Sequence, residues 1–251
     1  MEIEINNLSF SYKDINVIDN LSLRINEHEF VSLLGPNGSG KSTLIKCICK
    51  ILKIKHGEII IDGNNINSYS GKDLAKIIGY VPQNTNNQNP ATVYEILELG
   101  RCPYINWKLN KSDRIIIDDV IEQFCLGDFL KKQFNQLSGG QQQKIKIARA
   151  IVQEPKILLL DEPINNLDIR HQIEVLSLLS DIVKEKHITT LMAIHDLAFA
   201  AKFSKTIIMM NDGRIVDNGT PEKVINSDNV KDVYGIDVEI VKHKESILLA
   251  L

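Results

Sequence analysis

The sequence holds only four cysteines, at 47, 49, 102 and 125, and among them there is no C-x-x-C pair and no neighbouring histidine cluster. A zinc site or a disulfide framework needs such partners at defined spacings, so neither is supported. All four are expected as small apolar side chains packed inside a protein of a reducing compartment. Long apolar runs are missing too. None exceeds five residues, whereas a membrane-crossing helix needs about 20. The opening residues, MEIEINNLSF, have neither the basic start nor the apolar stretch of a secretory signal. Positive charge is not in excess: 29 Lys and Arg face 32 Asp and Glu, a net charge of −3. Duplex DNA is held largely by cationic contacts to phosphates, so no nucleic-acid partner is expected. These absences together point to a soluble, cytoplasmic chain.

What is present suits a folded α/β protein. At 251 residues and roughly 150 per domain, the chain makes one large domain or a core with a substantial insertion. β-rich stretches at 2–10, 21–26, 30–34, 57–62 and 77–81 are joined by turns, with a helical segment at 41–52. Helical patterns follow near 92–100, 112–124 and 140–153. Strand and helix then alternate through KILLL (156–160), a helix over 168–186, ITTLMAI (188–194) and TIIMM (206–210). Such alternation implies a parallel sheet covered on both faces. The mostly helical block at 84–150, which opens with a polar loop at 84–89, reads as an insertion into that sheet domain. Residues 213–218 read as a further strand, Thr220-Pro221 as a helix start, and 236–251 as a closing strand pair.

Three motifs carry chemistry. Gly35-Pro36-Asn37-Gly38-Ser39-Gly40-Lys41-Ser42 fits G-x-x-x-x-G-K-[ST] and lies between a buried strand and a helix, the context that motif needs. Its glycines let backbone N–H groups turn toward phosphate oxygens at a helix N-terminus. Lys41 adds a cation for the outer phosphates, Ser42 can occupy one Mg²⁺ position, and Thr43 can donate to an inner phosphate. A buried strand, ILLL, ends in Asp161 and Glu162. Mg²⁺ bound through phosphates takes one or two carboxylates, which suits Asp161, while Glu162 can accept a proton from an attacking water. Leu137-Ser138-Gly139-Gly140-Gln141 is a second anion-binding pattern, although Ser138 also reads as an ordinary N-cap. One nucleotide does not need two complete cradles, so each cradle is expected to close on a nucleotide held by a different copy.

Taken in order, Gly35–Thr43, Gln83, LSGGQ at 137–141, LLLDEP at 158–163, Asn166-Leu167-Asp168 and His195 resemble the ATP-binding-cassette (ABC) ATPases over essentially the whole chain. The resemblance implies a P-loop NTPase core with a RecA-like, mostly parallel sheet, an N-terminal antiparallel β subdomain and a helical insertion. As a single domain, the core would take about 1–83 and 151–251, and the helical part about 84–150. It implies ATP and Mg²⁺ as ligands, with Tyr12 stacked on adenine and Gln83 reaching Mg²⁺ and the attacking water. His195 would contact the γ-phosphate, and Ser138–Gln141 and Asp168 would act across a head-to-tail homodimer. Without family knowledge, Tyr12 is equally an exposed strand-end aromatic, and Asp168 an N-cap. Members often carry Thr and Ser where this chain has Ile164 and Asn165, and Arg where it has Lys144.

The stretch Leu99-Gly100-Arg101-Cys102-Pro103-Tyr104 resembles the G-R-x-P-[HY] segment of importers for iron–siderophore, haem and cobalamin. That implies an ATPase on the cytoplasmic face of the membrane. Its partners would be integral permease subunits and, through them, an extracytoplasmic substrate-binding protein. Importers of molybdate or tungstate, of zinc or of manganese, and a soluble ABC ATPase, are the alternatives.

Overall fold

The computed structural model describes residues 1–83, 90–105, 108–165, 167–243 and 246–250, with backbone alone from 242 onward. The polar stretch 84–89 and Asn166, both singled out above, lie outside the described residues. The chain begins with two antiparallel strands, β1 (Ile3–Tyr12) and β2 (Ile15–Ile25), followed by β3 (Phe30–Leu34) and helix α1 (Lys41–Ile48). Next come β4 (His56–Ile61), the short β5 (Asn64–Asn65), α2 (Gly71–Ile77) and β6 (Ile78–Val81). Three helices follow: α3 (Val93–Leu99), α4 (Lys111–Gln123) and α5 (Gly139–Val152). The remainder alternates as β7 (Ile157–Asp161), α6 (Ile169–Glu185), β8 (Thr189–Ala193), α7 (Leu197–Phe203), β9 (Thr206–Asn211) and β10 (Arg214–Gly219). It closes with α8 (Pro221–Val224), α9 (Ser227–Tyr234) and the strand pair β11 (Glu239–His243) and β12 (Ser246–Ala250).

One sheet has the order β2-β1-β4-β5 and is antiparallel; the other has the order β10-β9-β3-β8-β7-β6. In the second, β6, β7, β8, β3 and β9 run parallel and β10 joins the edge antiparallel. Every residue of β3, β7 and β8 is buried, which explains their unbroken apolar runs: a parallel sheet is covered on both sides. Alternate side chains separate cleanly between two cores, as the two-residue period of a strand requires. Phe30, Leu158, Leu160, Met192 and Met209 face α5, α6 and the other helices after β6. Val31, Leu33, Leu159, Leu191 and Met210 face α1 and the antiparallel sheet.

The three helices between β6 and β7 all start in the same way. Thr92 with Glu95, Asn110 with Asp113, and Ser138 with Gln141 each form a reciprocal capping pair, side chain to backbone in both directions. Two otherwise orphaned N–H groups are satisfied at each start, so these helices are well defined at the ends nearest solvent. Val93, Leu97, Ile117, Val120, Ile147 and Ile151 then bury their apolar stripes in the same core that backs the parallel sheet. Gly100, just past α3, is held close to α5. A Cβ there would lie 2.5 Å from the Arg149 carbonyl oxygen.

Several expectations need correction. Cys47 is buried and Cys49 half-buried, but Cys102 and Cys125 are exposed. Cys102 sits in the turn after α3, and Cys125 takes a left-handed conformation (φ 49°) after α4. α1 ends at Ile48 rather than 52, in a turn through Lys50 at φ 56°. α2 and α9 were not foreseen: each is short and buries few side chains, Leu74 in α2 and Val230 and Val233 in α9.

Burial pushes the Cys47 thiol up to about 12 and raises Cys49 as well. Native chain is therefore expected to give two fast-reacting thiols with a disulfide reagent at pH 8, Cys102 and Cys125, and all four only after denaturation. Gly100→Ala is expected to cost about 1–3 kcal/mol by forcing α3 from α5, a loss measurable by urea titration.

Candidate functional site

β3 delivers the chain to the edge of the parallel sheet where its strands end, the usual place for ligands in such sheets. Gly35 turns there at φ 151°, and a Cβ on it would stand 2.2 Å from the Met210 carbonyl oxygen of β9. Gly40 turns at φ 101°, and its Cβ would meet the Val17 carbonyl at 2.8 Å. Only glycine satisfies both the backbone angle and the packing at these points. Lys41, 4 % exposed, opens α1. Its ammonium donates to the carbonyls of Gly35 at 2.7 Å and Pro36 at 2.9 Å. Burial lowers its proton affinity, while the nearby carboxylates of Glu162 and Asp161 oppose that shift.

Ser42 donates its hydroxyl to Asp161 Oδ1 at 2.7 Å, joining the loop to the end of β7. Burial raises the Asp161 carboxyl, and the Ser42 hydrogen bond partly offsets this. One residue on, Glu162 is buried and sits at φ 51°. A non-glycine residue in that region carries strain of about 1–3 kcal/mol and persists only where its surroundings hold it. Here the holders are explicit. The Glu162 N–H donates to the Ala193 carbonyl at 3.2 Å. Its carboxylate takes the Gln83 and Asn165 amides on Oε2 and meets His195 Nε2 at Oε1. Gln83 follows β6, Glu162 ends β7 and His195 follows β8, three neighbouring strands whose ends line up.

Gln83 and Glu162 border a cleft of about 330 Å³ that Val17 and Asn37–Thr43 also line, while His195, Asn165 and Asp161 stand behind that lining. The pocket suits a magnesium-bound polyphosphate. Ser39 Oγ is buried in the loop with no hydrogen-bond partner among the described residues, a polar atom whose burial costs energy unless something bonds it. Asp161, Ser42 and Gln83 supply oxygen donors, the kind that Mg²⁺ takes. Loop amides, Lys41 and the start of α1 supply positive potential for phosphates.

Other residues singled out in the sequence lie elsewhere. Ser138, Gly139, Gly140 and Gln141 start α5, and none of them lines the cleft. Ser138 accepts from the Gln141 N–H at 3.3 Å, and the Gln141 side chain accepts from the Ser138 N–H at 3.1 Å. A Cβ on Gly140 would touch Leu167 and His171 in ordinary packing, so this motif adjoins the start of α6. Asp168 caps α6, accepting from the His171 N–H at 2.9 Å and pairing with its ring nitrogen at 2.8 Å. Those bonds, the backbone one first, lower the Asp168 carboxyl. Tyr12 ends β1, exposed and edge-on to Phe10 at 5.0 Å between ring centres, and it does not line the cleft. Asn165, a departure from the family pattern in the sequence, bonds Glu162 once the turn after β7 is folded.

The ABC transporter family model matches residues 18–165. The chain belongs to the ABC transporter family. An ABC transporter ATP-binding protein of Methanocaldococcus jannaschii is 45% identical over 240 residues, covering 96% of this chain and 94% of that protein. The iron(3+)-hydroxamate import ATP-binding protein FhuC of Bacillus subtilis is 38% identical over 236 residues, covering 93% and 88%. The dimeric structure of MJ0796, described as a bacterial ABC transporter cassette, superposes with a TM-score of 0.78 at 33% identity, covering 87% and 98%. This ABC protein is an ATP-binding subunit with ATP hydrolysis as its reaction and Mg²⁺ as the accompanying ion. Cassettes of the family pair and work with membrane components. No helix among its described residues is long and apolar enough to cross a membrane.

Removing the Lys41 ammonium deletes a charged hydrogen-bond donor worth about 1.5–3 kcal/mol. Lys41→Ala is expected to weaken ATP binding by roughly 10- to 100-fold, read by titration with a fluorescent nucleotide; unchanged affinity would contradict the cleft as the phosphate site.

Proposed function

We propose that two copies of the chain pair head to tail on the cytoplasmic face of a membrane and hydrolyse ATP to drive import of an iron chelate. Separate permease subunits would carry the chelate, fed by an extracytoplasmic substrate-binding protein. The observation that carries the pairing is that one chain holds two anion-binding features that do not meet. Asn37–Thr43 borders the cleft, whereas Ser138–Gln141 starts α5 beside Leu167 and His171 and outside it. A second copy turned about a two-fold axis brings each feature to the other's nucleotide, and such isologous pairing is the commonest symmetry of oligomers. The dimeric cassette of similar fold supports this reading. The iron-hydroxamate relative supports the cargo.

In this reading the core is about 1–83 and 151–251, and the helical arm about 84–150. Lys41 and the amides of Gly35–Thr43 hold the phosphates, and Tyr12 stacks on the adenine. Ser42, Asp161 and Gln83 would hold Mg²⁺, which would neutralise phosphate charge. Glu162 takes the proton from the attacking water. Gln83, Asn165 and His195 fix the direction of its carboxylate, so the group is set beside the cleft without rotamer search. Ser138–Gln141 and Asp168 of the other copy complete the site.

Glu162→Gln keeps the shape of the side chain and removes its basicity. It is expected to retain ATP affinity and lose at least about 100-fold in turnover, the usual scale of a general base, while gel filtration with ATP shows a stable dimer. Near-normal phosphate release would overturn the Glu162 assignment. The cargo is tested by reconstituting the subunit with its permease and measuring hydrolysis with ferric hydroxamate against molybdate and zinc. Stimulation by either of the latter alone would overturn the iron reading.

A further inference from the structure

Arg101, part of the Gly100–Tyr104 pattern in the sequence, is in the fold a buried cation with several partners. Its side chain is 5 % exposed and that of Asp113 4 %. Nε donates to Asp113 Oδ1 at 2.9 Å, and Nη1 donates to the Val152 carbonyl at 2.9 Å and to Glu154 Oε2 at 2.7 Å. The Tyr104 ring stacks against it, with its centre 4.1 Å from the guanidinium carbon. Three of these partners have a second duty. Asp113 caps α4, accepting from the Asn110 N–H at 3.0 Å. Val152 ends α5, and its carbonyl is one that a helix leaves unpaired. Tyr104 donates its hydroxyl toward the Gln153 carbonyl at 3.1 Å, and Gln153 in turn donates to the Ile78 carbonyl at 2.7 Å, where β6 begins.

One guanidinium therefore ties the end of α3, the start of α4 and the end of α5 together where the chain re-enters the parallel sheet. α5 is the element that carries Ser138–Gln141 at its other end, about 20 Å away for 14 residues. An ion pair this deeply buried adds little net stability over an apolar replacement, since desolvation offsets attraction. What it adds is direction, because a planar fork accepts partners only along fixed lines.

We propose that Arg101, stacked on Tyr104, is a positioning residue: it fixes the angle at which α5 presents Ser138–Gln141 to the nucleotide of the second copy. This rests on the cross-chain reading given above. Arg101 touches neither the cleft nor Ser138–Gln141. Its loss changes how well two copies close and leaves ATP binding to one copy intact.

The test compares the parent chain with Arg101→Ala and Arg101→Lys, the latter keeping charge but not the fork. In a Cys102→Ser background, spin labels on Cys125 in the arm and on Lys186→Cys in the core report the arm angle in the nucleotide-free monomer. The parent is expected to give one narrow distance distribution. Arg101→Ala is expected to broaden or shift it by several Å, with Arg101→Lys in between. ATP affinity stays within about two-fold of the parent, while kcat for hydrolysis falls at least ten-fold. Unchanged distance distributions in both variants overturn the proposal, as does a kcat loss matched by an equal loss of ATP affinity. If Arg101→Ala does not fold, Arg101→Lys and Asp113→Asn carry the same measurements. Failure of the Glu162→Gln chain to dimerise with ATP would instead overturn the cross-chain reading, and the distances would still decide whether Arg101 sets the arm angle.

Discussion

The parallel pairing of β6, β7, β8 and β3 carries four chain positions, far apart in sequence, to one edge of a sheet. Because neighbouring strands keep register, Gln83 and His195 both reach that edge within bonding distance of Glu162. The Glu162 carboxylate is where these ends meet, and its left-handed backbone is the local cost of placing it there. Burial of β7 on both faces anchors the strand from which that turn leaves. The contacts from Ala193, Gln83, Asn165 and His195 replace the freedom an exposed turn would have.

A second consequence follows from the alternation of side chains in those strands. One face of the sheet is closed by α1 and the antiparallel strands, so the elements on either side of the phosphate loop, β3 and α1, share one core. The opposite face is shared with α3, α4 and α5, whose stripes continue the same core. The arm is thus packed as part of the sheet's hydrophobic layer while its helix starts remain at the surface, each closed by its own capping pair. The proposed roles divide along the same line: phosphate chemistry where the strands end and α1 begins, and contact with a second copy at the start of α5.

Much of this was legible in the sequence because the relevant signals are local. A run such as ILLLDEP announces a buried strand and an acidic end, and Gly35–Ser42 announces its loop through spacing alone. Ser138 and Asp168 are N-caps on local grounds, and the fold agrees. What could not be read depends on contacts between distant segments. Asn165 gains meaning only from Glu162, and Arg101 only from Asp113, Val152 and Glu154. The cysteines misled because residue type predicts average burial, whereas Cys102 and Cys125 fall in turns. Helices α2 and α9 were missed since seven or eight residues with one or two buried side chains give almost no period to detect.

The crowding at Gly35 has a consequence for how this protein can change over time. The atom closest to a side chain there is the main-chain oxygen of Met210, at 2.2 Å, ahead of Ser39 Oγ at 2.7 Å; the methionine side chain is not involved. Replacing Met210 would leave that oxygen in place. A lesion at Gly35 therefore has no simple intragenic suppressor in β9, and genetic reversion there should return glycine itself. The methionine beside it, by contrast, is free to drift among side chains that fill the same space.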